Sequence, residues 1–342
     1  MNKISLCMIV KDEETCIETC IDSVKEFVDE AIIVDTGSTD RTKEIAKRYT
    51  KKVFDYKWEE DFAKARNRSI GYATGDWILI LDADEVIAKE DIKKLKETIE
   101  KTDASAILLI QRDYSQNMAR PNWVPINDVP RYKESKGYNG YSRTPTIRLF
   151  RNNLGIFFQG VIHETVTQSI KEKGLSIERV ETPIHHYVEE KRINTLADRQ
   201  LRYLELAEKT LLHKEDGRLY YKAAAVYMHF KKDHGKALEY LEKASHLGYE
   251  KNKSSEGMAL CHIALGQYNA AYEIYKKLVV SGYVSISLCN NLANILVMHK
   301  EHKAALKYLK KALELGHPNK EKITKNIEAI EKYLNSDIKK EK

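Results

Sequence analysis

The sequence reads as an α/β unit on a parallel sheet, followed by an all-α unit of repeated helix pairs. Three observations carry this reading. Residues 4–83 alternate short apolar runs with amphipathic segments, the grammar of strand–helix–strand units. Polar, carboxylate-bearing clusters follow three of the apolar runs. From about residue 190 the strand-like runs stop, and small residues recur at a 34-residue interval. A chain of 342 residues is long enough to bury two cores.

The elements follow in order. "ISLCMIV" (4–10) is a continuous apolar run, as expected of a strand buried on both faces. "EETCIETCIDSVKEFV" then sets Ile17, Cys20, Ile21, Val24 and Val28 on one helical face. "EAIIVD" (30–35) is a second strand, "DRTKEIAKRY" a helix, and "KKVFDY" a third strand. "EDFAKARNRSIGYAT" is a helix leading to a fourth strand, "WILILDA". "DADEVIAKEDIKKL" opens a further helix, in which Glu85 takes part as a starting residue. "ASAILLIQRDY" is another strand. Residues 115–145 hold Pro121, Pro125, Pro130, Gly137 and Gly140, a long loop suited to folding over a bound ligand. "TPTIRLFRN" and "GIFFQGVIHETV" read as a strand pair joined at Asn152-Asn153, and "RVETPIHHYV" as one more strand, its two histidines structural.

The helical half repeats. Gly248, Gly282 and Gly316 keep one interval, and so do Ala237, Ala271 and Ala305, and Ala225, Ala259 and Ala293. A 34-residue period of paired helices is the tetratricopeptide period. The expected organisation is a catalytic unit at 1–190, a connecting helix at 191–217, and about three repeats with a closing helix at 218–335. Such repeats form a surface that holds a peptide, or one through which two copies pair.

Composition excludes several classes. A net charge of +6 with lysine and glutamate interspersed does not suit a nucleic-acid binder. There is no run of about 18 apolar residues, hence no membrane span. Five cysteines without a C-x-x-C pair point to a reducing cytoplasm.

In parallel α/β sheets, ligands sit at the carboxyl ends of the strands. Lys11-Asp12-Glu13, Asp35-Thr36-Gly37-Ser38 and Asp82-Ala83-Asp84 all fall on that rim. Asp35 ends a strand, where it can accept from a base N–H or a ribose hydroxyl. Asp82 and Asp84 lie one residue apart in an extended segment, so their side chains are expected on one face. Paired hard carboxylates favour magnesium or manganese, ions that carry phosphates with them.

The ensemble "SLCMIVKDEE", "DEAIIVDTGSTDRT" and "WEEDFAKARNRSIGYATGDWILILDADE" resembles the family 2 glycosyltransferases with the GT-A fold, over roughly residues 3–190. The resemblance implies a UDP-sugar donor and a Mg2+ or Mn2+ ion on the D-x-D. By motif position, Val10, Asp12 and Glu13 line the nucleoside pocket, Asp35 meets the uracil, Asp82 reaches ribose and metal, and Asp84 the metal. Arg66 and Asn67 fall near the donor. The sequence departs from the family in carrying Asp12 where asparagine is common and in lacking Q-x-x-R-W, which argues against a processive synthase. The tail "RLFRN…GVIHET" is similar to a subset of the family with C-terminal repeats. Peptide glycosylation in glycocin (bacteriocin) biosynthesis, cysteine S-linkage included, is one role in that subset, and transfer to lipopolysaccharide sugars is another.

Within that tail His163 has two open roles, third metal ligand or general base, and Glu164 is the other base candidate. Neighbours on a strand face opposite sides, so only one of them is expected to face the donor. Arg148 and Arg151 are candidates for diphosphate contact. The expected reaction is metal-dependent inverting transfer to a peptide or protein held by the repeats. The rivals are a tetratricopeptide scaffold with an inactive nucleotide-binding unit, and a nucleotidyltransferase; the latter needs a Gly-rich phosphate loop that "VKDEE" does not provide.

Overall fold

The computed structural model describes residues 2–118, 122–127, 132–187 and 193–340. The chain divides into two compact units, Met1–Leu196 and Ala197–Lys342. The boundary expected at 190 lies outside the described residues, as do Pro121 and Pro130 of the expected loop.

The first unit begins with β1 (Ile4–Val10), α1 (Ile17–Val24), β2 (Glu30–Asp35), α2 (Thr42–Tyr49), β3 (Val53–Asp55), α3 (Phe62–Ile70) and β4 (Trp77–Ile80). These four strands are parallel in the order β3-β2-β1-β4. Alternate residues feed two cores. Leu6, Met8, Ile33 and Leu79 join α1 residues on one side, while Cys7, Ile32, Ile78 and Ile80 join Ala63 of α3 on the other. That is why the runs are apolar without alternation. At Gly75 a Cβ would come 2.7 Å from Ser5 Oγ and 2.8 Å from the Lys3 carbonyl, so only glycine admits the close start of β4 beside β1.

After β4 come β5 (Glu85–Val86), α4 (Lys89–Lys101), β6 (Ala106–Ser115), β7 (Trp123–Pro125), β8 (Gly140–Arg151), α5 (Thr167–Glu172) and β9 (Ile177–Tyr187). The sheet runs β3-β2-β1-β4-β8-β6-β9-β5, with β7 on β8. β8 is antiparallel to both β4 and β6, β9 is parallel to β6, and β5 is antiparallel to β9.

Two local expectations are corrected. The helix after the D-x-D starts at Lys89, because Glu85 and Val86 pair with His186 and His185 as a short strand. The stretch 156–166 is not the partner of β8. It holds a single Gln159–Thr165 bridge. The Asn67 amide of α3 accepts from the Phe158 N–H (2.7 Å) and donates to its C=O (2.9 Å), so the backbone there is satisfied by a side chain rather than a strand.

The second unit is helical: α6 (Ile193–Leu211), α7 (Gly217–Val226) running into a π turn at Tyr227–Lys231, α8 (His234–His246), α9 (Lys251–Ala264), α10 (Tyr268–Val280), α11 (Ile286–Met298), α12 (His302–Glu314) and α13 (Lys320–Lys340). The second helix of each pair starts at His234, Tyr268 and His302, the spacing of the sequence period. Ala237, Ala271 and Ala305 are fully buried, as are Ala259 and Ala293. Ala225, just before the π turn, is half-buried, and Ala223 and Ala224 are buried in its stead. The three periodic glycines have φ of 79, 79 and 85°. There the next residue's N–H returns to a carbonyl five residues back (Tyr249 to Ala244, Tyr283 to Leu278, His317 to Ala312, each 3.0 Å), which closes the helix end. Ile323 and Ile327 of α13 join the core of the last two pairs. Among the described residues no helix is long and apolar enough to cross a membrane.

Candidate active site

The rim is built first by the ends of β1 and β2, which lie in register with Val10 beside Asp35. The Val10 carbonyl accepts from the Thr36 N–H (2.9 Å) and hydroxyl (3.1 Å). Asp12 sits in the left-handed region (φ 55°) and its Oδ1 accepts from the Thr39 N–H at 2.7 Å. The Glu13 N–H donates to Thr42 Oγ1 at 2.7 Å. Asp40 accepts from the Thr42 N–H at 2.9 Å, so it satisfies a free donor of the first turn of α2. Asp35 is buried. Its Oδ1 accepts from the N–H groups of Gly37 and Ser38, both at 2.9 Å, in a turn that needs Gly37 at φ 112°. Its Oδ2 is buried with no partner.

The D-x-D segment is a turn and not an extended strand end. The Glu85 N–H donates to the Asp82 carbonyl (3.0 Å), and the Asp82 N–H donates back to Glu85 Oε2 (2.8 Å). The expected common face of Asp82 and Asp84 is therefore replaced by two separate directions. Asp82 turns to two buried guanidinium groups: Oδ1 accepts from Arg66 Nη2 at 2.7 Å and Oδ2 from Arg148 Nη2 at 3.1 Å. Arg66 Nε donates to Glu164 Oε1 at 2.5 Å, and Arg148 Nη2 to Glu85 Oε1 at 2.7 Å. The result is a chain of alternating charge, Glu164–Arg66–Asp82–Arg148–Glu85. Burial alone raises the Asp82 carboxyl, but Arg66 and Arg148 outweigh it and hold Asp82 well below the usual carboxylate range. Glu85 is fully buried, and burial pushes its carboxyl up to about 7 despite Arg148. Glu85 is thus part of the site rather than a helix starter. Arg66 Nη1 and Arg148 Nε are buried donors without acceptors.

Asp84 turns to β9, where its Oδ2 lies 3.2 Å from His186 Nε2. His186 Nδ1 lies 2.6 Å from Asp113 Oδ1 of β6. Burial lowers the His186 pKa, but its hydrogen bonds to Asp113 and Asp84 win and raise it well above the ordinary histidine value. Its neighbour His185 is a packing residue, fully buried and stacked on Tyr114, with burial pushing its pKa down to about 3. The sequence did carry the signal for His186: two adjacent residues of a strand face opposite sides, so "HH" at a strand end cannot be structural twice for the same reason.

His163 ends a bend, in the left-handed region at φ 53°, and Glu164 follows it outside any strand, so the opposite-faces argument for strand neighbours does not apply to them. His163 is half-buried. Asn67 holds the backbone of this segment rather than standing open to a donor. Arg151 donates to the carbonyls of Thr102 (2.7 Å) and Ala104 (3.0 Å) and covers Trp77, which ties it to the sheet instead of the rim.

Among the described residues no group of three or more His, Cys, Asp or Glu is gathered closely enough to hold a metal ion. Asp82, Asp84 and His163 therefore do not form a ready cage, and both Asp82 oxygens are engaged by guanidinium groups. Asp84 fits a divalent ion whose shell is completed by water and substrate phosphate, the usual state of Mg2+.

Comparison with known proteins places this rim in a family. Residues 5–155 match the model of Glycosyl transferase family 2. A TPR repeat-containing protein of Synechococcus elongatus is 38% identical over 193 residues, 55% of this chain and 42% of that protein. The SPbeta prophage-derived glycosyltransferase SunS of Bacillus subtilis is 31% identical over 159 residues, 46% of this chain and 33% of SunS. The chain thus spans about two fifths and one third of these two relatives. A glycosyltransferase of Rickettsia felis is 30% identical over 210 residues, 56% of this chain and 69% of that protein. With the rim of the sheet inside the matched segment and more than two thirds of the Rickettsia protein covered, the chain belongs to glycosyl transferase family 2.

Proposed function

We propose that the protein is a metal-dependent inverting glycosyltransferase that moves a sugar from a UDP-sugar to a peptide or protein acceptor. The observation that carries the donor half is Asp35. Its carboxylate is fixed by two backbone N–H groups and keeps one buried oxygen without a partner. Uracil offers a single ring N–H, which such an oxygen accepts, and a buried acceptor left unpaired is costly. Val10, Asp12 and Glu13 lie on the same rim as nucleoside-pocket residues. Arg66 and Arg148 put buried positive charge beside the D-x-D turn, where negative charge builds on a departing diphosphate. A divalent ion on Asp84, when bound, neutralises that diphosphate.

The base is His163 or Glu164. Arg66 holds the Glu164 carboxylate in one orientation, ready to take a proton from an acceptor hydroxyl. A cysteine acceptor needs less help, because its thiolate forms near neutral pH. The acceptor half rests on the second unit, whose stacked helix pairs are a surface type suited to extended or helical peptides. The test is donor turnover by the full chain with a panel of UDP-sugars and Mn2+, with and without chelator. Mass spectrometry of added cysteine- and serine-containing peptides then reads transfer. Metal-dependent UDP release and a hexose-sized mass gain are expected; absence of both UDP release and UDP binding by calorimetry overturns the reading.

A further inference from the structure

The first unit carries a cavity that the donor reading does not use. It holds about 420 Å³ and is lined from α1, β5, the start of α4, the turn at 133–136 and the end of β9. That volume is within the range of small-molecule sites. None of Val10, Asp12, Asp35, Arg66, Asp82 and Asp84 lines it. We infer that this cavity is a saccharide subsite, separate from the rim, in which Glu134 and Tyr187 bind ring hydroxyls.

Two buried polar atoms are the first argument. Glu134 is 8% exposed, and its Oε2 has no hydrogen-bond partner. The Tyr187 hydroxyl is likewise buried without a partner. An unpaired buried polar group is costly, so each calls for a ligand atom. Burial, with the Glu134 carboxylate second, raises the Tyr187 phenol, so the phenol keeps its proton and can donate. The carboxylate oxygen accepts, and the phenol donates. A hydroxyl answers both needs, because it donates and accepts through one atom. An ammonium or an amide N–H only donates, and a carboxylate oxygen only accepts. The backbone holds the phenol in place: the Tyr187 N–H donates to the Asp84 carbonyl at 3.4 Å.

Charge is the second argument. Four lysines and three carboxylates line the cavity, and three of the lysines are already paired. Lys25 meets Asp22 at 2.9 Å, Lys89 meets Glu26 at 3.6 Å, and Lys133 meets Glu134 Oε1 at 3.8 Å. The fourth, Lys136, sets its ammonium 3.9 Å from the centre of the Tyr187 ring. A charged ligand has to compete with these pairs. A neutral polyol takes up their spare lone pairs and N–H groups instead. The third argument is the apolar part of the wall. Val86, Ile87 and Ile92 are buried there, a surface for the C–H face of a sugar ring. A free sugar and a sugar unit of a glycan present the same hydroxyls, and the test separates them.

The experiment is saturation-transfer NMR on the full chain, titrated with D-glucose, N-acetyl-D-glucosamine, maltose and N,N′-diacetylchitobiose, with and without excess UDP. At least one of these sugars is expected to bind, with an affinity that UDP leaves within about twofold. Tighter binding of a disaccharide than of its monosaccharide identifies a glycan unit as the ligand; equal binding identifies the free sugar. Glu134→Gln should weaken binding about 10- to 100-fold, the effect of one charged hydrogen bond, and Tyr187→Phe about 2- to 10-fold, the effect of a neutral one. Both variants keep the side-chain shape, and melting curves confirm that they fold; Tyr187→Phe serves alone if Glu134→Gln does not. Failure of all four sugars to bind overturns the inference. So does binding that UDP abolishes, which belongs to the rim, and so does binding that neither variant weakens.

Discussion

Arg148→Met tests whether the alternating charge chain is balanced as described. Arg148 is the only cation in that chain that touches Glu85, at 2.7 Å, and it also holds Asp82 at 3.1 Å. Removing one partner of a buried ion pair costs about 3–5 kcal/mol, because the remaining charge is left uncompensated. The pH dependence has a definite sign. The Glu85 carboxyl is raised by burial from 4.5 to about 7, so between those values the folded state binds more protons than the unfolded state. Stability then falls as pH rises through that window, by about 1.4 kcal/mol per pH unit and about 3 kcal/mol in all. Without Arg148 the folded value moves higher still, and the window extends past neutrality. Asp82 is shifted the opposite way, so its contribution is lost only in acid and does not disturb a comparison at pH 6 and 8. Thermal unfolding should therefore show the variant melting about 6–20 °C below wild type at pH 8, with a smaller drop at pH 6, where Glu85 carries its proton. Adding Glu85→Leu should recover part of the loss. The reasoning is refuted if the variant melts with wild type at pH 8, or if the drop at pH 6 is as large as that at pH 8.

Three other outcomes are expected. Asp35→Ala should weaken UDP binding about 10- to 100-fold, the effect of one charged hydrogen bond, and should also lower the melting temperature, because the Gly37 and Ser38 N–H groups lose their acceptor; calorimetry reads the affinity, and an unchanged affinity removes Asp35 from the nucleoside pocket. Glu30→Ala should destabilise the first unit by about 2 kcal/mol at pH 7, since Glu30 accepts from Ser5 Oγ (2.5 Å), the Thr74 N–H (2.7 Å) and Lys52. Burial raises the Glu30 carboxyl, but Lys52 and Ser5 together with Thr74 bring it down to about 2, so its stabilisation is complete above pH 4.5 and fades toward pH 2, where the variant and wild type should unfold alike. Deleting residues 218–342 should spare UDP-sugar hydrolysis and remove peptide modification; equal loss of both would assign the repeats a supporting role instead.

Much of the fold was legible because single-residue patterns were enough. Runs such as "ISLCMIV" and "WILI", short and bounded by charged residues, read as strands buried on both faces, and three glycines in one register read as repeated helix ends. What the pattern could not supply was pairing. The stretch 156–166 is as apolar as a strand, yet a side chain of α3 claims its backbone, a fact about residues 91 positions apart. The site failed to show itself in the same way. Asp82 and Asp84 were identifiable from their rim position, but their directions depend on a two-residue strand, β5, that exists only because β9 comes back beside it. Glu85 and His186 face each other across that pairing, so both looked idle until the sheet was closed. Asp35 needed no such partner, since the turn that holds it follows it directly in the chain.

The uniform spacing of α8, α10 and α12 makes the helical unit adjustable in length. Each pair packs on the next, and each closes on a glycine of the same backbone shape. Excising 34 residues in frame, from one such glycine to the next, joins a helix end to the same kind of helix start that it had before. Duplication does the same in reverse. A helical unit of this design can gain or lose span one helix pair at a time, so its length is set in steps of 34 residues.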